Sequence, residues 1–255
     1  MKRTGYILVL AAIALSLLSC GHRLGMRHFA GPIQPATEQQ STELSIGDDH
    51  SITYTQGRLE VNLRPLTDEI LNRQLAAHSP DKSSFYLNPY EMELNPYTYS
   101  DWNPPEQSWA PARFTVFSLK VKNYEFPKVW LNPEKISLTT ANGRQYQALS
   151  LAAMVEYYWP YAVGYGGNVY LKTEERKDIL QETMYKTDEF VFSGQESTGL
   201  IVFPPLHRDV SSFVVEVEEL ALRFDFRDEP METVNIAYSF DREVYKARKP
   251  RPAEQ

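Results

Sequence analysis

The chain is short of cysteine, with one in 255 residues, so no disulfide framework and no cysteine-rich metal knuckle can be built from it. It is also short of positive charge. Its 26 Lys plus Arg stand against 33 Asp plus Glu, a formal net charge of −7, which argues against the clustered cations that displace counterions from nucleic acid. No apolar run reaches the ~20 residues that span a bilayer comfortably. Catalytic signatures are missing as well: the sequence has no Gly-x-Ser-x-Gly elbow and no His-Glu-x-x-His pair. Gly164-Tyr-Gly-Gly has glycines but lacks the preceding strand and following Lys-Ser/Thr of a phosphate loop. His207-x-Asp209 follows Pro204-Pro205 in a loop, and His22, His28, His50 and His78 are scattered. The one soft-metal pattern, His22-x-x-x-Met26-x-His28, falls in a segment that reads as linker. Glu216, Glu218 and Glu219 sit on a strand face, where carboxylates solubilise more often than they pair for glycoside chemistry. Neither enzymatic activity, a cofactor nor a metal is expected. What is present, 42% apolar residues at a mean hydropathy of −0.43, describes a soluble globular chain once any targeting segment is set aside.

The lone cysteine has a particular address. Lys2 and Arg3 precede the apolar run Tyr6 to Leu18, which has the length of a signal-peptide core and closes on Leu17-Leu18-Ser19-Cys20-Gly21. These residues resemble the lipobox of bacterial lipoproteins: Leu three residues before the cysteine, a small residue just before it and another after. The resemblance implies that 1–19 is a signal peptide and that Cys20 becomes the first residue of the mature chain, carrying palmitate or similar acyl groups. A thiolate is needed to form the diacylglyceryl thioether, and the amine freed by cleavage can take a further chain. Two or three chains anchor a protein stably where one does not. Gly21 is not the Asp that retains Gram-negative lipoproteins in the inner membrane, so the resemblance implies the outer membrane if the organism is Gram-negative. The mature chain carries −9, and a surface of that mean charge is expected to be repelled by anionic headgroups, leaving membrane attachment to the lipid.

Residues 20–50, rich in Gly, Pro, Gln, Thr and Ser, read as a flexible tether, and 246–255 as a disordered tail. Between them the period is mainly two. Leu59, Val61 and Leu63 alternate with polar residues, as do Phe117, Leu119 and Val121, and Ile136 and Leu138 ahead of the Asn142-Gly143 turn signal. Gly199-Leu-Ile-Val-Phe203 is a continuous apolar run closed by two prolines, the mark of a buried strand. Val215 and Val217 lie on one parity, and Leu220, Leu222, Phe224 and Phe226 on the other, so a bulge is predicted near Glu218-Glu219. Val234, Ile236, Tyr238 and Phe240 make a last alternating strand. Three helices are predicted: Thr67 to Ala77; the stripe Leu151, Met154, Val155 and Tyr158, stopped by Pro160; and a helix capped by Thr173, with Glu174 and Glu175 in its first turn. Tyr161 to Asn168 is expected as a Gly-rich loop or hairpin between the last two.

Short strands at about ten-residue spacing with added helices predict a mainly-β sandwich over 51–245, with a helical insertion over about 150–186. Three pieces then resemble uncharacterised bacterial lipoproteins with an immunoglobulin-like sandwich: Phe114 to Asn123, Ile136 to Tyr146, and Phe190 to Pro205. The resemblance spans about 110–227. It implies the fold and an envelope location, and brings no catalytic residues; the expected function is that of a lipid-anchored envelope protein whose immunoglobulin-like domain binds another envelope protein or serves a structural role.

Aromatics are concentrated. Eleven of 16 tyrosines and all four tryptophans lie between residues 86 and 170, including a Pro- and aromatic-rich loop over about 86–110. Two readings stand. Trp102, Trp109, Trp159 and Tyr161 are candidate binding aromatics for a glycan such as peptidoglycan, or for a protein partner in the envelope; alternatively, these rings pin a long loop over the edge of the sandwich.

Overall fold

A computed structural model describes residues 27–76, 95–99, 109–165 and 168–251, with side chains except those of 161–165 and 168–172. Cys20 and its lipobox neighbours Leu17, Leu18, Ser19 and Gly21, together with Trp102, lie outside the described residues, as does the Tyr161 side chain.

Two five-stranded antiparallel sheets form the body. One runs β11 (Gln195–Phe203), β6 (Thr115–Asn123), β5 (Leu59–Leu66), β4 (Ile52–Gln56), β3 (Leu44–Ile46). The other runs β2 (Gln34–Pro35), β13 (Pro230–Asp241), β12 (Ser212–Phe224), β8 (Ile136–Thr140), β9 (Gln145–Gln147). Short pairs complete the strands: β1 (Arg27–Ala30) with β14 (Val244–Ala247), and β7 (Lys128–Val129) with β10 (Val191–Phe192).

The alternating residues face inward as the period-two pattern predicts. Leu59, Val61 and Leu63 of β5 and Phe117, Leu119 and Val121 of β6 meet Val215 and Val217 of β12 and Ile236, Tyr238 and Phe240 of β13 in one buried cluster. The Phe117 ring lies 5.3 Å from Phe240, and the Tyr238 hydroxyl donates to the Val61 carbonyl across the sandwich at 2.9 Å. The protein is therefore a mainly-β sandwich of immunoglobulin-like architecture. The predicted bulge is present: the β12–β13 register shifts between Val217 and Leu220, and Glu219 takes φ 54.

Helix α1 (Asp68–Gln74) is capped by the Thr67 hydroxyl, and with α2 (Leu151–Tyr165) and α3 (Asn168–Thr183) it builds a second core. Leu71, Met154, Tyr158, Ile179 and Leu180 cover Val116 and Val202, the side chains on the outer face of the first sheet. This explains the unbroken run in β11: Ile201 and Phe203 fill the sandwich while Val202 packs under the helices.

Four expectations need correction. Pro160 does not stop α2, which continues to Tyr165, so Tyr161 to Tyr165 is helix rather than loop. Proline leaves the carbonyl four residues back without its donor, and that residue, Glu156, is exposed where water can serve. Thr173 does not cap α3: the helix starts at Asn168, and Thr173 is buried within it. Phe226 does not continue β12, which ends at Phe224, because the Asp225 carboxylate accepts from the Arg227 and Glu229 amides at 2.8 and 2.9 Å and turns the chain. Finally, 20–50 is not all tether and the tail does not begin at 246. From Arg27 onward the chain contributes β1 against β14, an edge strand to β13, and an edge strand to β4. Gln39 hydrogen-bonds both the amide and the carbonyl of Ser239, acting as a further rung.

Candidate functional site

The candidate aromatics separate. Trp109 is partly buried and set edge-on against Phe29 of β1 at 4.9 Å, with the guanidinium groups of Arg27 and Arg208 6.0 and 5.7 Å from its ring. Trp159 stands on α2 and is 52% exposed. It lines a shallow groove of about 460 Å³ with Leu151, Val155, Glu156, Lys177 and Gln181. A mixed cleft of about 250 Å³ beside α2 and α3 is lined by Leu149, Leu180, Met184 and Leu200 together with Glu134, Lys186, Asp188 and Glu189.

Several other aromatics of the 86–170 stretch are structural. Tyr97 is fully buried, and its hydroxyl meets Thr183 Oγ1 at 2.5 Å. The Tyr158 hydroxyl donates to the Pro96 carbonyl at 2.6 Å. Arg113, itself buried, lies 4.8, 4.9 and 5.3 Å from the rings of Tyr158, Tyr99 and Tyr157, and donates to the Thr98 carbonyl at 3.3 Å. Burial pushes the Tyr185 phenol up to about 12 and the Tyr97 phenol higher still, so both stay neutral hydrogen-bonding groups at physiological pH.

A second aromatic surface escaped the periodicity argument. Phe226 is 90% exposed and Met231 75% exposed at the tip of the β12–β13 hairpin. Behind them Phe224 lies edge-on to Phe190 at 5.4 Å, Phe190 lies 6.3 Å from the half-exposed Phe192, and the Lys128 ammonium is 4.4 and 4.8 Å from Phe190 and Phe224. A usable signal was there: Asp225-Phe-Arg-Asp-Glu-Pro230 is a turn sequence, and a phenylalanine inside a turn has nowhere to be buried.

His207 and Asp209 do come together, Nδ1 to Oδ1 at 2.6 Å, but the carboxylate chiefly serves Arg144, which grips both oxygens at 2.5 and 3.0 Å. This pairing ties the Asn142-Gly143 hairpin to the 207–209 loop. The Arg144 guanidinium first, and His207 second, hold the Asp209 carboxyl well below the usual carboxylate range. A depressed carboxyl favours folding above its unfolded value of about 3.9 and loses that contribution as pH falls. In Arg144→Ala the Asp209 carboxyl is expected to titrate at higher pH than in the parent, with His207 alone left to hold it down; a carbon-13 NMR titration unchanged by the substitution would contradict the pairing. Among the described residues no group of three or more His, Cys, Asp or Glu is arranged to hold a metal ion, and no helix is long and apolar enough to cross a membrane.

The fold and its surfaces define a β-sandwich protein with a helical layer, two separated aromatic surfaces and a two-stranded β1–β14 ribbon. No family model matches the sequence, and no curated protein matches it. Among solved structures it is similar to MPT63, a secreted protein from Mycobacterium tuberculosis, at 11% identity and a TM-score of 0.29, covering 68% of this chain and 90% of that one.

Proposed function

We propose that the protein is a non-enzymatic, lipid-anchored envelope protein whose sandwich presents the β12–β13 hairpin tip to another envelope protein. The observation that carries this reading is the exposed pair Phe226 and Met231 in front of a fixed aromatic row. Exposed large apolar side chains grouped at one place mark contact surfaces far more often than scattered ones do. The lipobox supplies the anchor: Cys20 takes the acyl groups, and Leu17, Leu18, Ser19 and Gly21 present it to the processing enzymes.

Two measurements test the proposal. Cells expressing the full chain incorporate labelled palmitate, and Cys20→Ser abolishes the label; retained label would reject acylation at Cys20. A photo-crosslinker placed at Phe226 captures a discrete envelope protein, whereas one placed at exposed Thr42 does not. The variant Phe226→Ser is expected to melt within about 2 °C of the parent, since surface changes cost under ~0.5 kcal/mol, while it abolishes capture by a crosslinker placed instead at Met231. Equal capture from Phe226 and Thr42 would defeat the tip as a docking surface.

The Trp159 groove supports a second reading, glycan binding. It sets a half-exposed indole in a groove whose exposed walls are mainly apolar, with Glu156, Lys177 and Gln181 among its lining residues. Co-sedimentation with purified sacculi that drops in Trp159→Ala would establish it, and co-sedimentation unchanged by the substitution would remove it.

A further inference from the structure

A cluster of basic residues lies on and just beyond the β1–β14 ribbon of this acidic protein. Strand β1 starts at Arg27, so seven Cα steps separate it from Cys20, and that length of chain spans at most roughly 25 Å. A tether of thirty residues would let the sandwich drift far from the bilayer; seven steps hold the β1–β14 ribbon against it. On β14 and just beyond it lie Lys246, Arg248, Lys249 and Arg251, all exposed, and Arg27 faces Ala247 across the ribbon.

The register sets what each face offers. Phe29 pairs with Tyr245, their rings 5.9 Å apart, and this inner face packs Phe29 against Trp109. His28 pairs with Lys246 on the opposite face. Arg251 is partly committed: it pairs with Glu243 at 2.7 Å and lies over the Tyr245 ring at 4.3 Å. Among the described residues no carboxylate pairs with Lys246, Arg248 or Lys249. Glu243 is the only acidic residue from Arg242 to Arg251, against five basic ones. Three exposed cations without a carboxylate partner, Lys246 on the ribbon and Arg248 and Lys249 just past its end, lie beside an aromatic pair and within a short reach of an acyl anchor, and make a surface for anionic headgroups.

We propose that the β1–β14 ribbon is a second membrane-binding element, which seats on anionic phospholipid headgroups and orients the sandwich with the Phe226 tip pointing away from the bilayer. The orientation follows from topology: β13 runs from the hairpin tip at Pro230 to Asp241, just before β14, a distance of roughly 35 Å. The net charge of −9 includes the ribbon's cations, so the rest of the surface is more acidic still; it repels the leaflet and keeps the domain upright, while the ribbon attracts it. This orientation rests on the lipoprotein reading, because acylated Cys20 determines which end meets the membrane.

The test uses the mature chain from residue 20 with Cys20→Ser, so that no acyl chain contributes. It is expected to co-sediment with phosphatidylcholine vesicles containing about a third phosphatidylglycerol, to release as salt shortens the screening length, and to ignore pure phosphatidylcholine vesicles. Replacing Lys246 and Lys249 by alanine is expected to weaken binding about 30-fold, since each surface cation contributes roughly fivefold. Circular dichroism melting confirms that the variant folds. Absence of binding to the anionic vesicles at low salt, or binding that the double variant leaves unchanged, overturns the ribbon as a headgroup site. Failure of palmitate incorporation at Cys20 in cells, with vesicle binding intact, would instead overturn the anchor and leave the ribbon standing.

Discussion

Gly199→Ala is expected to lower the melting temperature by about 10 °C, corresponding to roughly 3 kcal/mol for a chain of this size. The cause is a backbone crossing. A Cβ at Gly199 would sit 2.3 Å from the Tyr185 Cα and 2.5 Å from its nitrogen, well inside any tolerable contact. The clash is with main chain, so no side chain can rotate out of the way. The segment leaving α3 is fixed there by the Tyr185 amide, which donates to the Leu200 carbonyl at 3.0 Å, and by the parallel bridge between Met184 and Leu200. A methyl group must therefore push α3 off the sheet or displace β11 from its place beside β6. Both routes open the second core around Leu180 and Val202. Gly143→Ala provides the contrast. That glycine has φ 81 in the hairpin turn but nothing within 4 Å of a new Cβ, so only the left-handed backbone is penalised, at about 1 kcal/mol. If Gly199→Ala melted within about 2 °C of the parent, the close crossing would be wrong.

Gly199 also marks how far the sequence could be read. The run from Gly199 to Phe203 announces a strand buried on both faces, yet nothing in it says that a helix exit crosses the glycine. The same limit recurs elsewhere. Alternation was legible wherever a strand has one wet and one dry face, as in β5 and β6, and the change of parity at Glu218-Glu219 located the bulge because a one-residue shift reverses every side chain that follows. It was silent for β1, β2 and β3, which span two to four residues and exist only through partners far away in sequence. Helix ends were misplaced where a local signal met a tertiary context that outweighed it: Thr173 has a capping sequence but is buried inside α3, and Pro160 loses a hydrogen bond that solvent can replace. The surfaces were less legible still. The sequence concentrates aromatics over 86–170, but burial sorts them, sending Tyr97 and Tyr158 inward and leaving Trp159 out. The ribbon's charge was hidden in a chain-wide average, since Arg27 comes beside Ala247, and His28 beside Lys246, only when β1 pairs with β14.

The second large effect is expected at Asn123, where alanine should cost about 4 kcal/mol, the sum of a few unsatisfied buried groups. Asn123 is fully buried at the end of β6, and its side chain does the work of several backbone partners. Nδ2 donates to the Phe126 and Val191 carbonyls, both at 2.8 Å, and Oδ1 accepts from the Phe126 amide at 2.9 Å. One amide thus closes the turn after β6 and fastens β10 to it. Alanine would take the side-chain partner from two carbonyls and from the Phe126 and Glu125 amides, and each buried group left unsatisfied costs roughly 1–3 kcal/mol. A cavity adds to the loss. Asn123→Asp separates the hydrogen bonds from the volume. It preserves the shape and the Oδ1 acceptor but turns an oxygen toward two carbonyls, so the ionised form is opposed by both burial and repulsion. Its folded-state pKa must then lie above the unfolded value of about 3.9, and the folded protein binds the extra proton. Stability relative to the parent is therefore highest below pH ~4, where the neutral acid can donate to one carbonyl, and falls as pH rises toward the folded pKa. Urea unfolding of both variants across pH ~3 to ~8 measures this. A loss in Asn123→Ala below about 1 kcal/mol, or an Asn123→Asp deficit that stays flat with pH, would mean that these buried carbonyls do not depend on the Asn123 amide.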